Sequence, residues 1–81
     1  MKTEYLTYQE QLLIAEDLYN LTDSIEAASR LENEYGIQIR EGHSVNLNDF
    51  ARALDKTKFF NWDIEKAIEK HSGHKISLRE L

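Results

Sequence analysis

Residues that interrupt helices are scarce in this chain, and their scarcity constrains the fold more than any other feature. The sequence contains no proline and only three glycines, Gly36, Gly42 and Gly73. Proline and glycine mark most turns of β-rich folds, so the long stretches without them are compatible with helix. A length of 81 residues allows one domain with a modest core. We therefore predict a compact all-α bundle of about four short helices in a single domain, residues 1–81.

Residues typical of helix ends predict the helix boundaries. Thr7 and Glu10 have the spacing of a capping box, in which each side chain binds a backbone N–H group near the helix start. Asparagine and aspartate also cap helices, and glycine often ends them. The predicted N-caps are Thr7, Asp23, Asn46 or Asn48, and Asn61, and the predicted stops are Gly36 and Gly73.

Apolar residues recur at helical spacing in all four predicted helices. The side chains expected to face the core are Tyr8, Leu12, Ala15 and Tyr19 in the first helix, Ile25, Ala28, Leu31 and Tyr35 in the second, Phe50, Ala53 and Leu54 in the third, and Ile64, Ala67 and Ile68 in the fourth. The first helix is apolar on more than one face. It is therefore either central to the core or part of a contact in a homodimer.

The periodicity changes between the second and third predicted helices. Ile37, Ile39, Val45 and Leu47 alternate with polar residues around Gly42. This alternation favours a small β-hairpin around residues 37–47. An ordered loop held by the same apolar side chains fits equally well, because an isolated two-stranded hairpin is weak.

Charge is unevenly distributed along the chain. Residues 1–36 contain two cations and eight acids, whereas residues 37–81 contain eight cations and seven acids. An acidic helical half and a near-neutral second half suggest two surfaces for two different partners. On the outward face of the second helix, the candidate protein contacts are Glu26, Glu32 and Glu34.

Several classes of protein and site are disfavoured. The chain has no cysteine, so we expect neither disulfides nor thiolate metal sites, and a reducing, cytoplasmic location fits best. No apolar run approaches the roughly 20 residues of a membrane span. His71 and His74 lack a third ligand at recognisable spacing, and no serine has a nucleophile setting. We expect no metal, no cofactor, no membrane and no enzyme activity.

Three large aromatic residues occur within four positions, Phe59, Phe60 and Trp62. They cannot all face inward from one helix, so we expect one of them to be exposed. The rings either close the end of a small core or form a contact surface. For a contact surface, Phe59 and Trp62 are the candidate protein contacts, and neighbouring lysines also suit single-stranded nucleic acid.

Residues 47–55 read LNDFARALD, and Lys56-Thr57-Lys58 and the helical segment from Ile64 follow. This part of the chain, residues 47–81, resembles the helix-turn-helix repressors of the phage Cro-like type. The resemblance implies that Ala51 and Leu54 pack against the next helix and that this helix lies in the major groove of DNA. It departs from the family at Asp55, where glycine is usual. The implied DNA contacts are Arg52, Lys56, Thr57, Lys58 and Asn61.

The leading expectation is therefore a small regulatory protein that binds DNA through a helix-turn-helix-like second half. Two consecutive helices with ordinary surface lysines account for the same residues. The alternative function is an acidic inhibitor or adaptor that binds a basic nucleic-acid-handling protein. Phage-encoded anti-CRISPR and antirestriction proteins of similar size and charge provide the analogy.

Overall fold

The computed structural model describes residues 4–81, which form four α-helices and one pair of short strands. In chain order the elements are β1 (Tyr5–Leu6), α1 (Tyr8–Tyr19), α2 (Ser24–Tyr35), β2 (Val45–Asn46), α3 (Leu47–Asp55), α4 (Asn61–Ser72) and a 3-10 helix (Leu78–Glu80). The predicted all-α bundle is confirmed. Lys2, one of the two cations of the acidic half, lies outside the described residues.

Three of the predicted N-caps are confirmed. The Thr7 hydroxyl accepts the Glu10 N–H at 3.1 Å, and the Glu10 carboxylate accepts the Thr7 N–H at 2.8 Å, which completes the capping box. Asp23 and Asn46 likewise accept backbone N–H groups at the starts of α2 and α3. Gly36 and Gly73 end α2 and α4 with positive φ angles of 74° and 77°, which glycine adopts without steric cost.

The predicted cap at Asn61 is wrong by one residue. The Phe60 carbonyl already accepts the Ile64 N–H at 3.0 Å, so α4 begins at Asn61 and Phe60 occupies the cap position. Phenylalanine has no oxygen to offer the first turn, and no side chain caps α4.

The strand pair is antiparallel, with Tyr5 opposite Asn46 and Leu6 opposite Val45. One strand, β2, lies within residues 37–47, where a hairpin or a loop was predicted. Its partner is β1 near the start of the described chain. The intervening residues form a loop whose apolar side chains, Ile37 and Ile39, pack against the core.

The core is one cluster to which both halves of the chain contribute. Its buried members are Leu6, Ile14, Ala15, Ala27, Leu31, Leu47, Phe50, Ala51, Leu54, Ile64, Ala67, Ile68 and Leu78. The first helix, α1, packs against both α2 and α4 and is central to the core, one of its two predicted positions.

Four predicted core residues are neither buried nor among the half-buried residues packed against the core: Tyr8, Ile25, Ala28 and Ala53. Ile25 is 61% exposed, because the buried stripe of α2 begins at Ala27 and leaves the first helical turn on the solvent side. In α3, Ala51 is fully buried and Ala53 is only half-buried. Both shifts move the buried face by a residue or two, and the small alanines Ala27 and Ala51 occupy the positions of closest packing.

Polar contacts tie the ends of the bundle together. The Glu65 carboxylate accepts the Leu78 N–H at 2.8 Å, which fixes the C-terminal 3-10 helix against α4. Asp17 on α1 binds His71 Nε2 at 2.8 Å and Lys70 Nζ at 3.5 Å. None of the helices in residues 4–81 is both long enough and apolar enough to cross a membrane.

Candidate functional site

The connection between α3 and α4, residues 56–60, is a tight hydrogen-bonded turn. The Lys56 N–H donates to the Ala53 carbonyl at 3.2 Å, and the Thr57 N–H donates to the Leu54 carbonyl at 3.0 Å. The Thr57 hydroxyl also donates to the Leu54 carbonyl and accepts the Phe59 N–H at 3.3 Å. These bonds define the path of the chain between the two helices.

Phe59 anchors this turn to the first half of the molecule. Its ring packs edge-on against Tyr19, with ring centres 5.1 Å apart, and against Tyr35 at 5.9 Å. The Lys58 N–H lies 3.4 Å from the Tyr35 hydroxyl, which accepts it. Edge-to-face aromatic pairs of this kind add to the stability gained by burial alone. The turn is therefore held by α1 and α2 as well as by its own hydrogen bonds.

The residues on either side of Phe59 point the other way. Phe60 is 77% exposed, Trp62 is 66% exposed, and Lys56, Lys58 and Asn61 are exposed with them. We call these five exposed side chains the α3–α4 corner. One exposed ring was predicted among the three neighbouring aromatic residues, and two of them are exposed.

A lysine on α4 lies over one of the exposed rings. The Nζ atom of Lys66 is 4.5 Å from the centre of the Trp62 ring, within the range of a cation–π interaction. The spacing of four residues places both side chains on one helix face, a signal present in the sequence that our prediction overlooked. Beside the tryptophan is a shallow groove lined by Trp62, Glu65, Lys66, Glu69, Lys75 and Ile76.

The predicted DNA contacts are close together in sequence, and their environments differ. Lys56, Lys58 and Asn61 are exposed at the corner. Arg52 is also exposed, on the last turn of α3, and lies 3.7 Å from Asp49. The Thr57 hydroxyl is used inside the turn.

The predicted acidic face on α2 is exposed, and its carboxylates have partners within the chain. Glu26 lies 3.8 Å from Arg30, and Glu34 accepts the Tyr19 hydroxyl at 2.8 Å. Glu32 accepts the side-chain amide of Gln38 at 3.3 Å. Desolvation by burial, together with the hydrogen bond to Glu34, raises the pKa of Tyr19 well above its usual range.

Both histidines near the end of α4 bind carboxylates on the N-terminal elements. His71 contacts Asp17, as described above, and His74 Nε2 lies 3.2 Å from Glu4. Within residues 4–81 no group of three or more histidine, aspartate or glutamate side chains is arranged to hold a metal ion. These histidines connect α4 to α1 and to the segment before β1.

Sequence reasoning missed one buried polar residue, Gln11. It is 1% exposed, and its Nε2 atom donates to the Leu6 carbonyl at 3.1 Å and to the His43 carbonyl at 3.0 Å. Its position beside Leu12 on the inner side of α1 was the available signal. The residue joins α1 to β1 and to the loop before β2.

Comparison with known proteins adds no functional information. No family model, curated protein or solved structure matches the chain. The function is therefore argued from the surface of the molecule.

Proposed function

We propose that this protein is a small regulatory protein that binds DNA through the α3–α4 corner. The observation that carries the proposal is the exposure of Lys56, Lys58 and Asn61 on a turn that Phe59 anchors to the rest of the fold. A fixed turn presents cations and an amide without a large loss of conformational freedom on binding. The resemblance of residues 47–81 to Cro-like repressors supports the same surface.

Each residue of the corner has a role that its chemistry suits. Lys56 and Lys58 contact phosphates, which position the protein on the DNA, and Arg52 supports them from α3. Asn61 is the first residue of α4 and is suited to read the edge of an adenine. The uncapped first turn of α4 leaves backbone N–H groups available to a phosphate oxygen.

The charge distribution restricts binding to this side of the molecule. Residues 4–36 contain eight acids and a single cation, Arg30, so this part of the surface repels a polyanion. Within residues 56–61 the charged side chains are Lys56 and Lys58, and the exposed acids Asp55 and Asp63 lie on either side of this segment. DNA therefore approaches the α3–α4 corner and is kept away from α1 and α2.

The test removes the two corner lysines. We expect the full chain to bind a pool of duplex DNA at low salt, with an affinity that falls as salt increases, because cation contacts release counterions from the phosphates. The Lys56→Ala, Lys58→Ala double variant should bind more weakly, and the slope of log affinity against log salt should decrease by about 2.

The matched control is the Arg40→Ala, Arg79→Ala double variant. It loses the same charge from exposed positions elsewhere in the chain, so it should retain most of the wild-type affinity. An equal loss in both double variants would indicate binding by net charge alone. A wild-type protein that binds no duplex at low salt would contradict the binding of duplex DNA by this corner.

The second candidate is an inhibitor or adaptor that binds a basic nucleic-acid-handling protein. The observation in its favour is the exposure of Glu26, Glu32 and Glu34 on one helix. Reversing the charges of Glu26 and Glu32 should leave the fold intact, because both carboxylates are exposed and exposed polar pairs contribute little stability, and should abolish capture of the partner from cell extract. Glu34 is left unchanged in this test, because its carboxylate accepts the Tyr19 hydroxyl. Capture that survives the charge reversal would count against this function.

A further inference from the structure

Phe60 and Trp62 are exposed although the core is complete without them. Neither residue belongs to the core cluster or to the half-buried residues packed around it. The third member of the sequence cluster, Phe59, does pack against the core. The fold therefore uses one of the three rings and leaves the other two in water.

Lysines lie near the two exposed rings. Lys58 precedes Phe60 by two residues, and the Lys66 Nζ atom lies 4.5 Å from the centre of the Trp62 ring. Lys75 and Lys66 line the groove beside Trp62 together with two acids of α4, Glu65 and Glu69. Aromatic faces with neighbouring cations complement a ligand that has both flat π-systems and negative charges.

DNA with unpaired bases has this chemistry. In a regular duplex the faces of the bases are stacked on one another, and a protein reaches only their edges and the backbone. In a single strand each base offers a free face that stacks on an aromatic side chain, while lysines follow the phosphates. Exposed rings at this position gain little from a closed duplex and much from an open strand.

We propose that the α3–α4 corner prefers DNA with unpaired bases, which stack on Trp62 and Phe60 while Lys56 and Lys58 contact the phosphates. The inference rests on the DNA binding proposed above and specifies the form of DNA. Self-association through the same rings is an outcome that the experiment detects.

Trp62 is the only tryptophan in the chain, so its fluorescence reports directly on this surface. The full chain is titrated with a mixed-sequence oligonucleotide of about 12 nucleotides, with the duplex of the same sequence, and with an abasic strand of equal length. We expect quenching by the single strand and an affinity roughly 10-fold or more above that for the duplex. The abasic strand should bind more weakly and cause little quenching.

Variants are compared by the anisotropy of a labelled strand, which does not depend on tryptophan. Trp62→Ala should weaken single-strand binding by roughly 5- to 100-fold and change duplex binding little, whereas Trp62→Phe should restore much of the loss. Phe60→Ala should act in the same direction. The matched control is Ile25→Ala, because Ile25 is 61% exposed near the start of α2 and should not contribute.

The results separate this inference from the proposed function. Equal affinity for single strand and duplex, with Trp62→Ala unchanged, overturns the inference, and the proposed function stands if the duplex still depends on Lys56 and Lys58. Absence of binding to either form overturns both. A tryptophan signal that changes with protein concentration in the absence of DNA would assign the rings to self-association and overturn the inference.

Discussion

The buried side chain of Gln11 acts as a hydrogen-bond donor to two backbone carbonyls. Its two N–H groups satisfy the carbonyls of Leu6 and His43, while its Oε1 atom has no partner within residues 4–81. Each of these hydrogen bonds contributes to the stability of the fold, so the amide stabilises the contacts of α1 with β1 and with the loop before β2. An apolar side chain of similar size could fill the same space but could not form these hydrogen bonds.

We expect Gln11→Met to lower the free energy of unfolding by about 1–3 kcal/mol, because it removes two hydrogen bonds to backbone carbonyls. Gln11→Glu should cost more than about 3 kcal/mol at neutral pH, since it places a carboxylate against those two carbonyl oxygens. Urea denaturation measures both. Gln9→Met, an exposed change on the same helix, should stay within about 0.5 kcal/mol, and equal stability of Gln11→Glu and wild type would refute the assignment.

Tyr19 gives the molecule a defined response to alkaline pH. Burial and the Glu34 carboxylate raise the pKa of Tyr19 in the folded state, so the neutral phenol is favoured there. Above about pH 10 the unfolded chain releases this proton while the folded chain keeps it. Stability from this residue is therefore complete below about pH 10 and is lost as the pH rises further.

The alkaline prediction compares wild type with Tyr19→Phe. The variant should be slightly less stable at neutral pH, because it loses the hydrogen bond to Glu34. Above about pH 10 its stability should decline less steeply than that of wild type, because the phenol no longer titrates. Denaturation curves between pH 8 and about pH 11 decide the matter, and parallel declines would contradict the role given to Tyr19.

At the scale of elements, the two adjacent phenylalanines in the turn between α3 and α4 have different environments. Phe59 packs between Tyr19 and Tyr35, and Phe60 faces water. Local sequence offers no basis for choosing between adjacent phenylalanines. The choice depends on tyrosines contributed by α1 and α2, many residues earlier in the chain.

We expect Phe59→Ala to lower the free energy of unfolding by about 2–3 kcal/mol, somewhat less than for a fully buried ring. Phe60→Ala should change it by no more than about 0.5 kcal/mol. Thermal and urea denaturation of the two variants provide the comparison. If Phe60→Ala is the more destabilising change, the anchor of the turn has been misassigned.

The features predicted best from the sequence are those determined by contacts between residues close together in the chain. Thr7, Asp23 and Asn46 cap helices through bonds to residues at most three positions away, and all three were identified. The pairing of β1 with β2 was not predicted, because only two residues of each strand take part and the partners are distant in sequence. Ile25 was misplaced because the direction in which α2 faces the core depends on α1.

At the scale of the whole molecule, the candidate site depends on both halves of the chain. The second half supplies Lys56, Lys58 and Asn61, which sequence had nominated. The first half supplies Tyr19 and Tyr35, whose contacts hold the turn in place. Residue type indicated which groups can bind DNA, whereas tertiary contacts determine which of them are held in a fixed position.

The acidic half also has a structural part in this arrangement. Glu34 receives the Tyr19 hydroxyl, and Tyr19 in turn packs against Phe59. A charge reversal on α2 that includes Glu34 would therefore also disturb the contacts that hold the turn between α3 and α4. Glu26 pairs with Arg30 and Glu32 accepts the side-chain amide of Gln38, so reversing these two charges leaves the carboxylate that binds Tyr19 in place.

Because β1 pairs with β2, β1 cannot form its native hydrogen bonds during synthesis until β2 has been translated. Tyr5 and Leu6 are among the earliest described residues to be translated, yet their partners are Val45 and Asn46. At roughly 5–20 residues per second, Leu6 waits a few seconds before the strand that buries it exists. The helices α1 and α2 are neighbours in sequence and can meet earlier. The strand β1 thus reaches its native pairing only after α1, α2 and β2 have been synthesised, although it precedes all three in the chain.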